Sequence, residues 1–160
     1  EGIDVQASYG FELPGSMGDI DLTLTYGNLL RHETVQFDGS TAERTDGLII
    51  APEHEALLGI AYSRPSMEIA WTTQWVGDAA LAHEGFWAPV QSVGDYLFHD
   101  VQGRFEFGDM TTLVLGVDNV TDEYVTIGMH APGTWPGWTT APATYDGLGR
   151  RYYLGLRLDF

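Results

Sequence analysis

A chain of 160 residues with 23 acidic and 7 basic side chains carries a formal charge of -16. That charge speaks against a nucleic-acid partner, since phosphate contacts need a basic face. The absence of cysteine excludes disulfide scaffolds and thiolate metal sites. No apolar run approaches the roughly 20 residues of a spanning helix, and five Trp, eight Tyr and seven Phe argue against an acidic disordered tail.

The dominant periodicity is two, the period of a strand. In the first segment Ile3, Val5, Ala7, Tyr9 and Phe11 alternate with Asp4, Gln6, Ser8, Gly10 and Glu12. A short connection around Pro14 to Gly18 leads to the second, where Ile20, Leu22, Leu24 and Tyr26 alternate with Asp21, Thr23, Thr25 and Gly27. A long stretch, Leu30 to His54, precedes the third, with Ala56, Leu58, Ile60 and Tyr62 on one side. A turn at Arg64 to Ser66 follows, and the fourth places Met67, Ile69, Trp71 and Trp75 together. After Gly77 to Asp95 comes a fifth segment, in which Val101, Phe105 and Phe107 alternate with Asp100, Gln102, Arg104 and Glu106. The short link Gly108 to Met110 joins it to the sixth, built on Leu113, Leu115 and Val117. The last long connection, Val120 to Arg150, ends in a seventh strand. There Tyr152, Leu154, Leu156, Leu158 and Phe160 share a face opposite Arg151, Tyr153, Gly155, Arg157 and Asp159.

Short and long connections therefore alternate without exception. A soluble sandwich has no reason to keep every long loop at one end, whereas a transmembrane, antiparallel, up-and-down β-barrel has short periplasmic turns and long extracellular loops. The expected fold class is all-β, with residues 1–160 as one run of barrel strands. Aromatics at both strand ends, such as Phe11, Tyr62 and Phe107 at one and Tyr26, Trp75 and Tyr152 at the other, read as interfacial girdles. On this reading the C-terminus is periplasmic. An odd strand count then puts Glu1 on the extracellular side and implies further strands, since single-chain bacterial barrels have an even number.

The segment Gly116-Val-Asp-Asn-Val-Thr-Asp-Glu-Tyr124 resembles the NLFD-x-x-Y signature near the end of TonB-dependent outer-membrane receptors, with Val120 and Thr121 in place of the usual Leu-Phe. The ending Tyr145-Asp-Gly-Leu-Gly-Arg-Arg-Tyr-Tyr-Leu-Gly-Leu-Arg-Leu-Asp-Phe160 resembles the final strand of that family. The resemblance implies a plugged barrel of about 22 strands, of which this chain supplies about seven C-terminal ones, in the bacterial outer membrane. It implies energy-coupled import of a scarce nutrient such as siderophore-bound iron or cobalamin. The expected partners are the remaining N-terminal barrel and plug, the TonB system acting through that plug, outer-membrane lipid and the barrel-assembly machinery. Nothing in this chain resembles the plug. Gly155, Leu158 and Phe160 resemble the C-terminal signal read by the assembly machinery, where alternating apolar anchors on a free edge suit strand addition.

No catalytic motif is present: there is no Gly-x-Ser-x-Gly elbow, phosphate loop or His-Glu-x-x-His, so an enzyme is not expected. His32, His54, His83, His99 and His130 have no metal-ligand spacing, and neither a metal nor a cofactor is expected. The long connections hold the ligand-contact candidates Trp87, His130, Trp135 and Trp138, whose aromatic faces suit stacking on a planar or apolar ligand or packing on neighbouring loops. Asp100, Arg104, Arg151 and Arg157 are expected to face a barrel lumen, mainly in structural ion pairs. Asn119-Val-Thr121 matches a glycosylation sequon by chance. Two other functions compete with transport. One is a surface-binding or adhesion barrel, separated by the absence of a plug. The other is a soluble β-domain with enzyme or lectin activity, separated by indifference to detergent.

Overall fold

The computed structural model describes residues 1–35, 37–80, 92–124, 145 and 147–159. Seven long strands form one antiparallel sheet: β1 (Gly2–Glu12), β2 (Asp19–Leu29), β5 (His54–Arg64), β6 (Met67–Val76), β7 (Tyr96–Phe107), β8 (Thr111–Asp118) and β9 (Arg151–Leu158). They lie in strictly sequential order, with β1 and β9 at the edges. Each of the seven segments of period-two alternation is one of these strands. Among the described residues there is no α-helix, and no helix is long and apolar enough to cross a membrane.

One feature was not expected. The first long connection contains a small ribbon, β3 (Glu33–Thr34) paired with β4 (Glu43–Arg44). Two residues per strand are too few to show a period. The fifth long strand begins at Tyr96, where the connection Gly77 to Asp95 leaves off; its clear alternation starts only at Asp100, because Tyr96 and Phe98 put aromatics on the side that is polar from there onward.

The short turns carry the sequence cues that close them. After β1, Pro14–Ser16 forms a single 3-10 turn with Gly15, Ser16 and Gly18 at positive φ. Gly18 is required there: a Cβ would run into the Ser63 carbonyl oxygen, and its φ is 111°. Leu13 N–H donates to the Gly18 carbonyl at 2.8 Å to close the loop. Pro65 and Ser66 make a two-residue hairpin turn between β5 and β6, and Gly108, at φ 62°, helps reverse the chain between β7 and β8.

Register keeps the two faces separate across all seven strands. One cross-strand row runs Tyr9, Leu22, Ile60, Trp71, Val101, Val117, Tyr152. The next row on the opposite face runs Gly10, Asp21, Ala61, Ala70, Gln102, Gly116, Tyr153. A one-residue slip at any of the six seams would exchange the faces beyond it; none occurs. The strands are also staggered. The row through Glu12, the last residue of β1, reaches β9 at Gly155, with Leu156, Arg157 and Leu158 still to come.

The apolar face is not buried by any described part of the chain. Leu154 is 72% exposed, Leu156 61% and Tyr9 66%. The buried core is small and sits on the other face, at the long-connection end. It comprises Val76, Tyr96, Phe98 and Tyr145, with Ile49 and Val93 against it.

Candidate functional site

The polar face and the long-connection end hold the chemistry-bearing groups. Asp4, Glu12, Asp19, Asp21, Glu55, Glu68, Asp100 and Glu106 project from this face by the strand alternation, against Arg104, Arg151 and Arg157. Glu12 stands directly opposite Asp19, a like-charge pair that costs stability unless water or a cation screens it. Glu68 faces Arg104, the favourable version of the same geometry.

The four residues expected to line a lumen all lie on this face. Arg104 pairs with Glu106 at 2.8 Å, Arg151 with Asp118 at 3.3 Å, and Arg157 with Asp159 at 3.0 Å. Asp100 Oδ1 accepts the Asn119 backbone N–H at 2.7 Å. Of the expected assembly residues, Gly155 pairs with Val114 and Leu158 with Thr111 on β9. Phe160 lies outside the described residues, as do the ligand-contact candidates Trp87, His130, Trp135 and Trp138.

The Asn119–Tyr124 stretch is a knot that fastens three strands. Asn119 is 1% exposed and sits at φ 53°. Its amide nitrogen donates to the Glu123 carbonyl at 2.8 Å, and its amide oxygen accepts the Glu123 N–H at 2.8 Å. Val120 N–H donates to the His99 carbonyl at 2.7 Å, which ties the knot to β7 along with Asp100. Asp122 Oδ1 accepts the Arg150 N–H at 2.9 Å and so ties it to the start of β9. A Cβ at Gly149, which is at φ 69°, would collide with the Tyr124 hydroxyl. With both ends of its amide engaged and buried, Asn119 is unsuited to glycosylation.

Two imidazoles sit at the long-connection end of the apolar face among aromatics. His54 stacks between Tyr26 and Trp75, with ring centroids 6.1 and 6.4 Å away, and its Nδ1 is 2.9 Å from Tyr26 Oη. His99 Nδ1 is 2.9 Å from Thr73 Oγ1, and the Trp71 ring meets its edge at 5.5 Å. Among the described residues no three His, Asp or Glu side chains are placed to hold one metal ion.

The first long connection folds back toward the sheet. Leu29 N–H donates to the Glu53 carbonyl at 2.7 Å, and Asp46, 6% exposed, accepts from the His32 N–H at 3.1 Å and from the Arg44 guanidinium. The Arg44 hydrogen bond first, and then that of His32, holds the Asp46 carboxyl well below the usual carboxylate range. Between this connection and the sheet lies an open cleft of about 530 Å³ lined by Asp4, Asn28, Pro52, Glu53 and Glu55, among others. In the sequence Asp4 is one polar residue of the first alternating segment, and nothing there marks the cleft. Glu53 belongs to a connection with no period, so nothing in the sequence brings it beside Asp4. Tyr96 and Phe98 were legible only as an aromatic pair two residues apart.

No family model, curated protein or solved structure matches the chain.

Proposed function

We propose that this sheet is an arc of a transmembrane β-barrel in the bacterial outer membrane, and that the barrel is a TonB-dependent transporter for a scarce nutrient. The observation that carries the membrane reading is the continuous apolar face, exposed on every strand and backed by a polar face. A soluble monomer rarely exposes an apolar patch above a few hundred Å², and this one crosses seven strands. The dimensions agree. From Leu97 to Phe107, β7 covers about 33 Å at ~3.3 Å per residue, and a tilt of about 40° reduces this to about 25 Å, the height of the apolar band in outer-membrane barrels. A stagger like that from β1 to β9 is what tilted barrel strands require. It also brings Tyr9, near the short-turn end of β1, into one row with Tyr152, at the other end of β9.

On this reading the polar face borders the lumen and the long connections are extracellular. The edges of β1 and β9 pair with further strands, because hydrocarbon tolerates no open sheet edge. The assignment to TonB-dependent transport rests on the resemblance of Gly116–Tyr124 and Tyr145–Phe160 to that family. The knot around Asn119 supports it by giving the first of those segments a structural task at the end of β8. Trp87, His130, Trp135 and Trp138 remain the proposed ligand-contact residues. Gly155, Leu158 and Phe160 remain the proposed signal for the assembly machinery.

Two experiments test the reading. Membrane fractionation with heat-modifiable migration tests the barrel: recovery in a soluble fraction with unchanged migration would sink it. Uptake of labelled ferric siderophores and cobalamin, compared in cells with and without a functional TonB system, tests transport. Equal uptake in both strains would leave a passive or adhesive barrel.

A further inference from the structure

The two faces of the sheet differ in charge as sharply as in polarity. Strand alternation places no aspartate or glutamate on the apolar face of any of the seven strands, although the chain holds 23 acidic residues. One arginine lies there: Arg64, the last residue of β5, opposite Met67 at the short-turn end. It is also the arginine that lacks a partner. Five of the other six form ion pairs, such as Arg104 with Glu106 and Arg157 with Asp159, and Arg150 hydrogen-bonds to Tyr152. Among the described residues nothing pairs with Arg64, which is exposed. With 23 acids to 7 bases, carboxylates are not scarce; Arg64 lacks one because of the face it is on.

The surroundings of Arg64 hold it there. Gly18 lies against the end of β5, and an added Cβ would come within 2.9 Å of Arg64 Cγ and 3.0 Å of the Tyr62 ring. Gly18 therefore makes room for an arginine stem and an aromatic ring side by side. The Tyr62 hydroxyl donates to the Met17 carbonyl, which fixes the ring and leaves the guanidinium as the cationic donor of this niche. Asp19 and Glu68 flank the same strand end but stand opposite Ser63, and so belong to the polar face. Arg64 also borders a recess of about 70 Å³ with Glu68 and Glu106, yet it is ion-paired with neither, and Glu106 is held by Arg104 at 2.8 Å. Depth is set by β5 itself. From His54 to Arg64 the strand covers about 33 Å at ~3.3 Å per residue, and a tilt of about 40° reduces this to about 25 Å, the height of the apolar band. Arg64 thus lies at the short-turn edge of that band, where a long cationic side chain extends its head into the interface while its stem stays on apolar surface. A guanidinium fork there can engage two phosphate oxygens at once.

We propose that Arg64, in the niche formed with Gly18 and Tyr62, binds the headgroup phosphate of an anionic glycerophospholipid in the leaflet at the short-turn end of the sheet. The guanidinium donates to the phosphodiester oxygens, and the acyl chains run along the apolar face past Ile20 and Ile69, the register partners of Tyr62. An anionic lipid fits better than a zwitterionic one, whose own ammonium competes with Arg64 for the phosphate. The site rests on the membrane reading of the apolar face and is independent of what the barrel transports.

Native mass spectrometry of the full-length protein, folded in detergent and titrated with phosphatidylglycerol or phosphatidylcholine of identical chains, reads the site. Wild type is expected to retain phosphatidylglycerol in preference. Arg64→Gln should weaken that retention about tenfold, the scale of one charge-assisted contact. Arg64→Lys, a point charge without the fork, should recover part of it. Arg31→Gln removes an equal charge at the long-connection end and should change nothing. Heat-modifiable migration reports that each variant is folded. Retention unchanged in Arg64→Gln, or weakened equally in Arg31→Gln, would overturn the site. So would displacement by equimolar inorganic phosphate, the mark of a free-anion site, or a polypeptide that co-purifies with wild type and is lost from Arg64→Gln. In each of those cases a protein that still inserts into phosphatidylcholine vesicles keeps the membrane reading. Failure of wild type to insert would defeat that reading and the site with it.

Discussion

Asn119 shows how much one polar side chain carries when both ends of its amide are buried and paired. Replacing it with Ala strands the Glu123 N–H and carbonyl and leaves a β-carbon in the left-handed region. A loss of about 2–4 kcal/mol is expected from two unsatisfied groups at about 1–3 kcal/mol each, allowing for partial rehydration. The urea midpoint of the detergent-folded protein measures it, and a shift within error of wild type would show that the knot is dispensable. Asp46 gives a pH dependence of definite sign. Its folded-state carboxyl is held below its unfolded value by Arg44 and His32. Its contribution is therefore present above the ordinary carboxylate range, about pH 4, and is lost as pH falls below it. Hydrogen-exchange protection of the His32 amide, which donates to Asp46, should fall between pH 5 and pH 3. In Asp46→Asn, protection should be lower at pH 5 and nearly flat across that interval. Parallel curves for the two proteins would remove Asp46 from the account.

At the level of the strand, facing decides the consequence of a substitution. Leu156 lies on the apolar face of β9 and Gly155 beside it on the polar one. Leu156→Arg should cost about 2–4 kcal/mol near a bilayer midplane, while Gly155→Arg, directed toward the polar side, should cost less. Folding titrations into lipid vesicles make the comparison, and the opposite order would reverse the facing. The strands and their facing were legible in the sequence because a sheet with one apolar and one polar face writes its geometry as strict alternation, and the register then preserves it. Ile20, Leu22 and Leu24 show this, each meeting an apolar partner on both sides. The β3–β4 ribbon and the acidic cleft were not legible. Glu53 approaches Asp4 through the path of a long connection, which is set by backbone hydrogen bonds such as Leu29 to Glu53 and not by periodicity. The resemblance around Asn119 located a motif but not its role as a knot, because its partners Asp100 and Arg150 lie far away in sequence, on β7 and just before β9.

For the whole sheet, the decisive question is what covers the apolar face, and two tryptophans are placed to answer it. Trp71 lies mid-strand on that face, in the row joining Tyr9 to Tyr152. Trp75 lies on the same face one turn of alternation beyond Thr73, next to the long connection, with its indole N–H 3.4 Å from Asp95. If lipid covers the face, the two indoles sit at different depths: four residues of strand at ~3.3 Å each, tilted by about 40°, separate them by about 10 Å along the membrane normal. Variants retaining only one of the five tryptophans, the others replaced by Phe, can be folded into vesicles of lipids brominated at defined acyl positions. Bromine deep in the chain should quench Trp71 more than Trp75, and bromine near the headgroup should quench Trp75 more. Aqueous iodide should reach Trp75 more readily than Trp71. A protein partner over the face would leave both indoles insensitive to lipid bromine, and a solvated face would expose both to iodide. Either result would remove the membrane from the account while leaving the seven-stranded sheet, its register and its acidic cleft as they are.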